Sequence, residues 1–143
     1  MPQEKRWTRP IIYVGAIVAC GVVLLFPLLT FVDGYRELAA AAAAEAEDHA
    51  GVVSKLAAED PRYWAYKADR LAIAIGPIPT EGVQRVILDA AGERIAELGA
   101  APASPVIAGR AEVAENGLRV GEVVITASLR PALARAAWAL LFG

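Results

Sequence analysis

The longest uninterrupted pattern in the chain is apolar. Ile11 to Val32 is a stretch of 22 residues without a charged side chain. As a helix rising about 1.5 Å per residue, such a stretch crosses a hydrocarbon core of about 30 Å. Lipid offers no partner to backbone N–H and C=O groups, so a helix is the only conformation suited to it. Pro10 sits where the first turn tolerates a missing N–H. Pro27 falls inside the stretch, where a kink is tolerated.

Beyond Val32 the period becomes that of a polar-backed helix. Tyr35 to about Glu59 contains Arg-Glu-Leu, six consecutive alanines and Glu-Ala-Glu-Asp, all favourable to helix. Leu38, Ala42, Glu45, His49, Val53 and Leu56 share one face, with Glu37, Glu47, Asp48 and Lys55 as the polar side. This helix is expected to extend the apolar one outward, with Gly34 as a candidate joint. Asp60-Pro61 predicts a second helix start, running to about Ile75 with Trp64, Ala68, Leu71, Ala72 and Ile75 on one face. Gly76-Pro77-Ile78-Pro79 ends it.

The period then falls to two. Val83–Asp89 and Arg94–Leu98 predict strands joined by a glycine-bearing turn. Pro105 to Val113 predicts a third, with Ile107, Gly109, Ala111 and Val113 on one side. Asn116-Gly117 matches a type I′ hairpin turn. Leu118 to Ser128 predicts a fourth strand, with Gly121, Val123, Ile125 and Ala127 on one face and Val120, Glu122, Val124, Thr126 and Ser128 on the other. The expected class is α+β: two helices on one face of a four-stranded antiparallel meander.

The last 13 residues, from Pro131 to Gly143, resume an apolar helical pattern. They are too few to span a bilayer. The expectation is the start of a second transmembrane helix, cut short; the alternative is an amphipathic tail on the membrane surface, with Arg130 and Arg135 near headgroups and Trp138 deeper.

Charge sets an orientation. Lys5, Arg6 and Arg9 precede the apolar stretch, while Asp33 and Glu37 follow it with Arg36 between them. By the positive-inside rule this predicts a cytoplasmic basic tail (1–10), a transmembrane helix (11–32), an extracytoplasmic domain (33–130) and the start of a second span (131–143) in a bacterial inner membrane. A cleaved signal peptide fits less well, because the apolar core is long and no small-x-small site follows it. The expected surroundings are membrane lipid and a second copy of the chain. Small side chains along the alanine-rich helix, and Gly15 with Ala19 in the span, suit a homodimer. A net charge of −2 argues against nucleic acid, which requires a basic face.

Candidate chemistry is sparse. The chain has one cysteine, Cys20, and one histidine, His49, so no thiol–imidazole metal cluster is expected. No phosphate-binding glycine loop and no Ser/His/Asp set is present. No catalytic residue, metal or cofactor is therefore expected. Tyr63, Trp64, Tyr66 and Arg70 form an aromatic-basic cluster suited to a small carboxylate ligand, with Arg85 or Arg94 supplying further charge. The plainer reading makes Trp64 a core anchor, with the tyrosines leaning on the sheet edge. His49 invites a pH or metal role, against the plain reading of a partly exposed side chain beside Glu45 and Asp48. Asp89 and Gly92 have the chemistry of a turn.

A basic tail, a span, a long helix, Pro61-x-x-Trp64-x-Tyr66 and then Val86-Ile-Leu-Asp-Ala-Ala-Gly-Glu-Arg-Ile95 together resemble the sensor regions of bacterial receptors. The last segment is similar to the central hairpin of PAS-like and Cache-like extracytoplasmic domains. Val120 to Pro131 resembles the strand leading such domains into a second membrane helix. The resemblance implies a signal-sensing, dimerising module that relays a stimulus to a cytoplasmic output outside this chain, a histidine kinase in the first place and a diguanylate cyclase in the second. The alternative from another class is an envelope assembly protein held by one span.

Overall fold

The computed structural model describes residues 5–77 and 81–142. The first four residues of the basic tail, the Ile78-Pro79 half of the expected break and Gly143 lie outside the described residues. The elements run α1 (Lys5–Glu59), a 3-10 turn (Trp64–Tyr66), α2 (Ala68–Ala74), β1 (Val83–Asp89), β2 (Arg94–Leu98), β3 (Val106–Glu115), β4 (Leu118–Ser128) and α3 (Arg130–Phe142). The class is α+β. By contact the chain forms two compact units, Met1–Gly34 with Pro131–Gly143, and Tyr35–Arg130.

The apolar helical stretch continues into the polar-backed one, as its pattern predicts. α1 is assigned without interruption over 55 residues, with Pro10 and Pro27 inside it. Near Pro27, the Thr30 hydroxyl donates to the Phe26 carbonyl at 3.0 Å. Gly34 is helical and buried.

In the first unit, Gly34 faces α3. A Cβ built on it would lie 3.2 Å from the Ala132 Cβ, so glycine allows close approach of the two helices. Further along α3, Ala139 and Leu140 border an apolar hollow of about 300 Å³ together with Val22, Val23 and Phe26 of α1. α3 therefore runs antiparallel to α1. Most of the apolar stretch is exposed; Ile17, Leu24 and Leu28 each leave more than half of their surface open. α1 is long and apolar enough to cross a membrane.

The second unit packs one helix face on one sheet. Ala42, Ala46, Ala50, Val53 and Ala57 are the buried positions of α1, while the expected Leu38, Glu45, His49 and Leu56 flank them half-buried. Alanine governs this phase because the helix backbone comes close to the sheet at Gly109. Opposite it lie Ile87, Val123, Ile125 and Val113, all buried. The outer face is polar: Arg119 contacts Glu112 and Glu122, and Arg110 contacts Glu122. Val86 and Val124 are buried beneath these outward side chains.

The strands and their inward faces match the alternation, but their order does not. The sheet runs β2-β1-β4-β3, whereas a meander would pair β2 with β3. β1 and β4 lie side by side through the whole of β1, from Val83↔Ala127 to Asp89↔Gly121. The register places Ile87 against Val123 and Arg85 against Ile125 on the inner face, which joins two apolar rows over α1. The first and last strands are thus central, and the 100–105 connection reaches past β1 to the β3 edge. Ser128 fastens it, donating to the Ala103 carbonyl at 2.8 Å.

Both turns follow their residues. Asn116 and Gly117 have φ of 48° and 79°, the two left-handed positions of a type I′ turn. One carboxylate oxygen of Asp89 accepts from the N–H groups of Ala91 and Glu93, each at 2.8 Å, with Gly92 at φ 84°.

Candidate functional site

The expected helix from Pro61 to Ile75 is broken by its own hydrogen bonds. The Asp60 carbonyl accepts from both Tyr63 and Trp64, and Lys67 N–H donates back to Trp64. The three-residue spacings of Tyr63 to Asp60, Tyr66 to Tyr63 and Lys67 to Trp64 wind the chain tighter than an α-helix. The Asp60 carboxylate does not cap the turn but pairs with the Lys67 ammonium. The change of pitch sends Trp64 inward, where it is 6 % exposed and its Cη2 lies 2.9 Å from where a Gly121 Cβ would stand.

Between the end of α1, the 3-10 turn and α2 is a hollow of about 160 Å³, lined by Leu56, Glu59, Asp60, Trp64, Lys67, Arg70 and Leu71. Its apolar lining is Leu56, Trp64 and Leu71, while its polar lining carries two carboxylates and two cations. Among the described residues, Asp60 and Lys67 neutralise each other, whereas no hydrogen bond or ion pair engages Arg70. A guanidinium available beside an aromatic wall can take a small carboxylate in bidentate fashion.

Of the six residues singled out from sequence, the fold brings two to this hollow, Trp64 and Arg70. Tyr63 and Tyr66 pair with each other instead, ring centres 6.5 Å apart and tilted by 51°. They do not lean on the sheet; Tyr66 is 84 % exposed. Arg94 is on β2, paired with Glu97 at 3.0 Å.

Arg85 belongs to a second cluster. Its Nε donates to Glu45 Oε1 at 2.6 Å, and a terminal nitrogen reaches the same oxygen at 2.6 Å. The other terminal nitrogen donates to the carbonyls of Ile75, at 3.2 Å, and Pro77, at 2.8 Å. Arg85 therefore ties β1 to α1 and to the exit from α2. One turn along α1, His49 Nε2 lies 3.5 Å from Glu45 Oε1. It is a buried atom without a hydrogen-bond partner.

Sequence reasoning missed Lys67, Asp60, Glu59 and Leu56 as lining residues, and the Glu45–Arg85 pair. Glu45 had a usable signal. A carboxylate on an otherwise apolar helix face demands a cation from the opposing element, and Arg85 is the charged residue on the inward side of β1. No known protein family, curated protein or solved structure matches the chain, so the assignment of its sites rests on their own geometry.

Proposed function

We propose that the chain is the extracytoplasmic sensing and dimerisation module of a bacterial membrane receptor, with a PAS-like domain that relays a stimulus to a cytoplasmic output. A histidine kinase is the preferred output and a diguanylate cyclase the next. The observation carrying this reading is that one helix, α1, bears both the apolar stretch and the alanine face on which the sheet packs. A shift of the sheet on that face acts on the helix that enters the lipid. The N-terminus is cytoplasmic and the Tyr35–Arg130 unit extracytoplasmic, in keeping with the basic residues before the apolar stretch.

The stimulus enters through the Trp64/Arg70 hollow as a small carboxylate. Such a ligand moves the packing equilibrium only by as much as it prefers one arrangement over the other. The small residues of α1 left exposed by the sheet, Ala40, Ala41, Ala43 and Ala44 with Gly15 and Ala19 in the apolar stretch, serve a homodimer, in which two copies of the helix respond together.

Paired reporters test the reading. Alkaline phosphatase fused after Ser128 is expected to be active in bacterial cells and β-galactosidase at the same position inactive. The reverse pattern would place the domain in the cytosol and end the receptor interpretation.

A further inference from the structure

His49 is the chain's only histidine, and the proposed ligand hollow makes no use of it. Its side chain is 13 % exposed. Nε2 is buried without a hydrogen-bond partner and faces the one carboxylate oxygen that already accepts from Arg85. An orphaned polar atom inside a packed domain costs free energy, so its position calls for an account.

We infer that His49, Glu45 and Arg85 form a proton-operated latch that sets how firmly the α2 exit is held to α1 and β1. Among the described residues, two charged side chains meet His49 at this cluster: Glu45, on its own helix, approaches the imidazole directly, and Arg85, from β1, joins through the same Glu45 oxygen. From the α2 side the carbonyls of Ile75 and Pro77 bond to Arg85. The inward residues of β2 and β4, Ala96, Val123 and Ile125, carry no charge.

With the imidazole neutral, the carboxylate and guanidinium balance and Arg85 holds all three elements. When solvent supplies a proton, both ring nitrogens become donors, and Nε2–H turns to Glu45 Oε1. One carboxylate then serves two cations, and the cluster goes from neutral to a charge of +1. In a semi-buried site like charges repel strongly. Arg85 gives up part of its hold on Glu45, and with it the carbonyls of Ile75 and Pro77. The latch therefore loosens when His49 takes up a proton. It lies within the Tyr35–Arg130 unit and does not depend on the receptor reading.

Because there is a single histidine, its ring signals are unambiguous. The experiment is an NMR pH titration of the full chain in detergent micelles, labelled at histidine and arginine. The His49 ring and the Arg85 Nε–H signal are expected to move with a common midpoint, and amide exchange at Gly76, after correction for intrinsic rate, to rise severalfold on the acid side. In His49→Gln the Arg85 signal is expected to stay fixed over the same range. A His49 ring that titrates with no response at Arg85 would overturn the latch, as would a ring that never titrates or an Arg85 response that persists in His49→Gln. The wild-type titration decides the matter even where the variant folds poorly.

Discussion

Gly109 of β3 lies directly beneath Ala42 of α1: a Cβ built on the glycine would stand 2.3 Å from the Ala42 carbonyl carbon and 2.5 Å from the Ala43 nitrogen. Both obstacles are backbone, so no side-chain rotation relieves them. Helix and sheet meet here with nothing between, and the alanine face of α1 is what permits it.

Gly109→Ala must therefore push the helix off the sheet or bend β3. Overpacking of this kind typically costs 1–3 kcal/mol, roughly, and sometimes more. Denaturant unfolding in micelles is expected to show a lower midpoint, while Gly51→Ala, where an added Cβ meets nothing within 4 Å, is expected to leave it unchanged or raised. Equal effects at the two glycines would mean that this contact does not govern the packing.

The β3–β4 hairpin makes a separate prediction from its backbone. Gly117 has φ 79° and its added Cβ meets open space, so only conformational strain opposes a side chain. Gly117→Ala is expected to cost about 1–2 kcal/mol, and Gly117→Asn less, because asparagine tolerates the left-handed region. The ranking glycine, asparagine, alanine in unfolding midpoint is the check. Alanine equal to glycine would remove the type I′ turn from the account.

These local features were legible because each is written in adjacent residues. Asn-Gly marks its turn, and strict alternation in β4 marks its inward face. Strand order was not legible: Val83↔Ala127 and Ile87↔Val123 are pairings between segments some forty residues apart, and alternation says which face is apolar without saying which neighbour it joins. The helix phase was blurred for a different reason. A run of alanines has no periodicity of its own, so Leu38 and Leu56 marked a face whose centre is Ala46 and Ala50. At the Trp64/Arg70 hollow, Trp64 and the two tyrosines were grouped as one helical cluster. The 3-10 pitch separates them, turning Trp64 inward and leaving Tyr63 and Tyr66 outside.

The ion pairs divide sharply by setting. Arg85 is 15 % exposed at its side chain and Glu45 33 %, while Arg119 is 53 % exposed and Glu112 67 %, and Glu122, itself 15 % exposed, keeps Arg110 when Arg119 is removed. Removing a hydrogen-bonded guanidinium from a sheltered carboxylate leaves that charge without its partner, at a cost of roughly 2–3 kcal/mol here once partial solvation is allowed for. An exposed pair contributes about 0–1 kcal/mol. Arg85→Ala is thus expected to lower the unfolding midpoint well beyond Arg119→Ala, and 1 M salt to change the wild type little, since screening acts mainly on the outer pairs.

Arg70 gives the prediction closest to function. A hollow of about 160 Å³ admits an acid of a few carbon atoms, with its carboxylate on the guanidinium and its carbon chain against Trp64 and Leu71. A ligand that binds only the folded state stabilises it by about 2.7 kcal/mol at a hundred times its dissociation constant, enough for a readable rise in thermal midpoint. A panel of short organic acids is expected to contain members that raise the midpoint of the wild type and of Arg94→Ala, whose guanidinium is on β2. The rise is expected to vanish in Arg70→Ala. Arg70 is exposed and unengaged among the described residues, so its loss leaves the unliganded midpoint within about 0.5 kcal/mol of wild type, and the missing response reads as lost binding rather than lost fold. A panel with no effect on the wild type, or an effect that survives Arg70→Ala, would exclude the hollow as the entry point for a carboxylate signal.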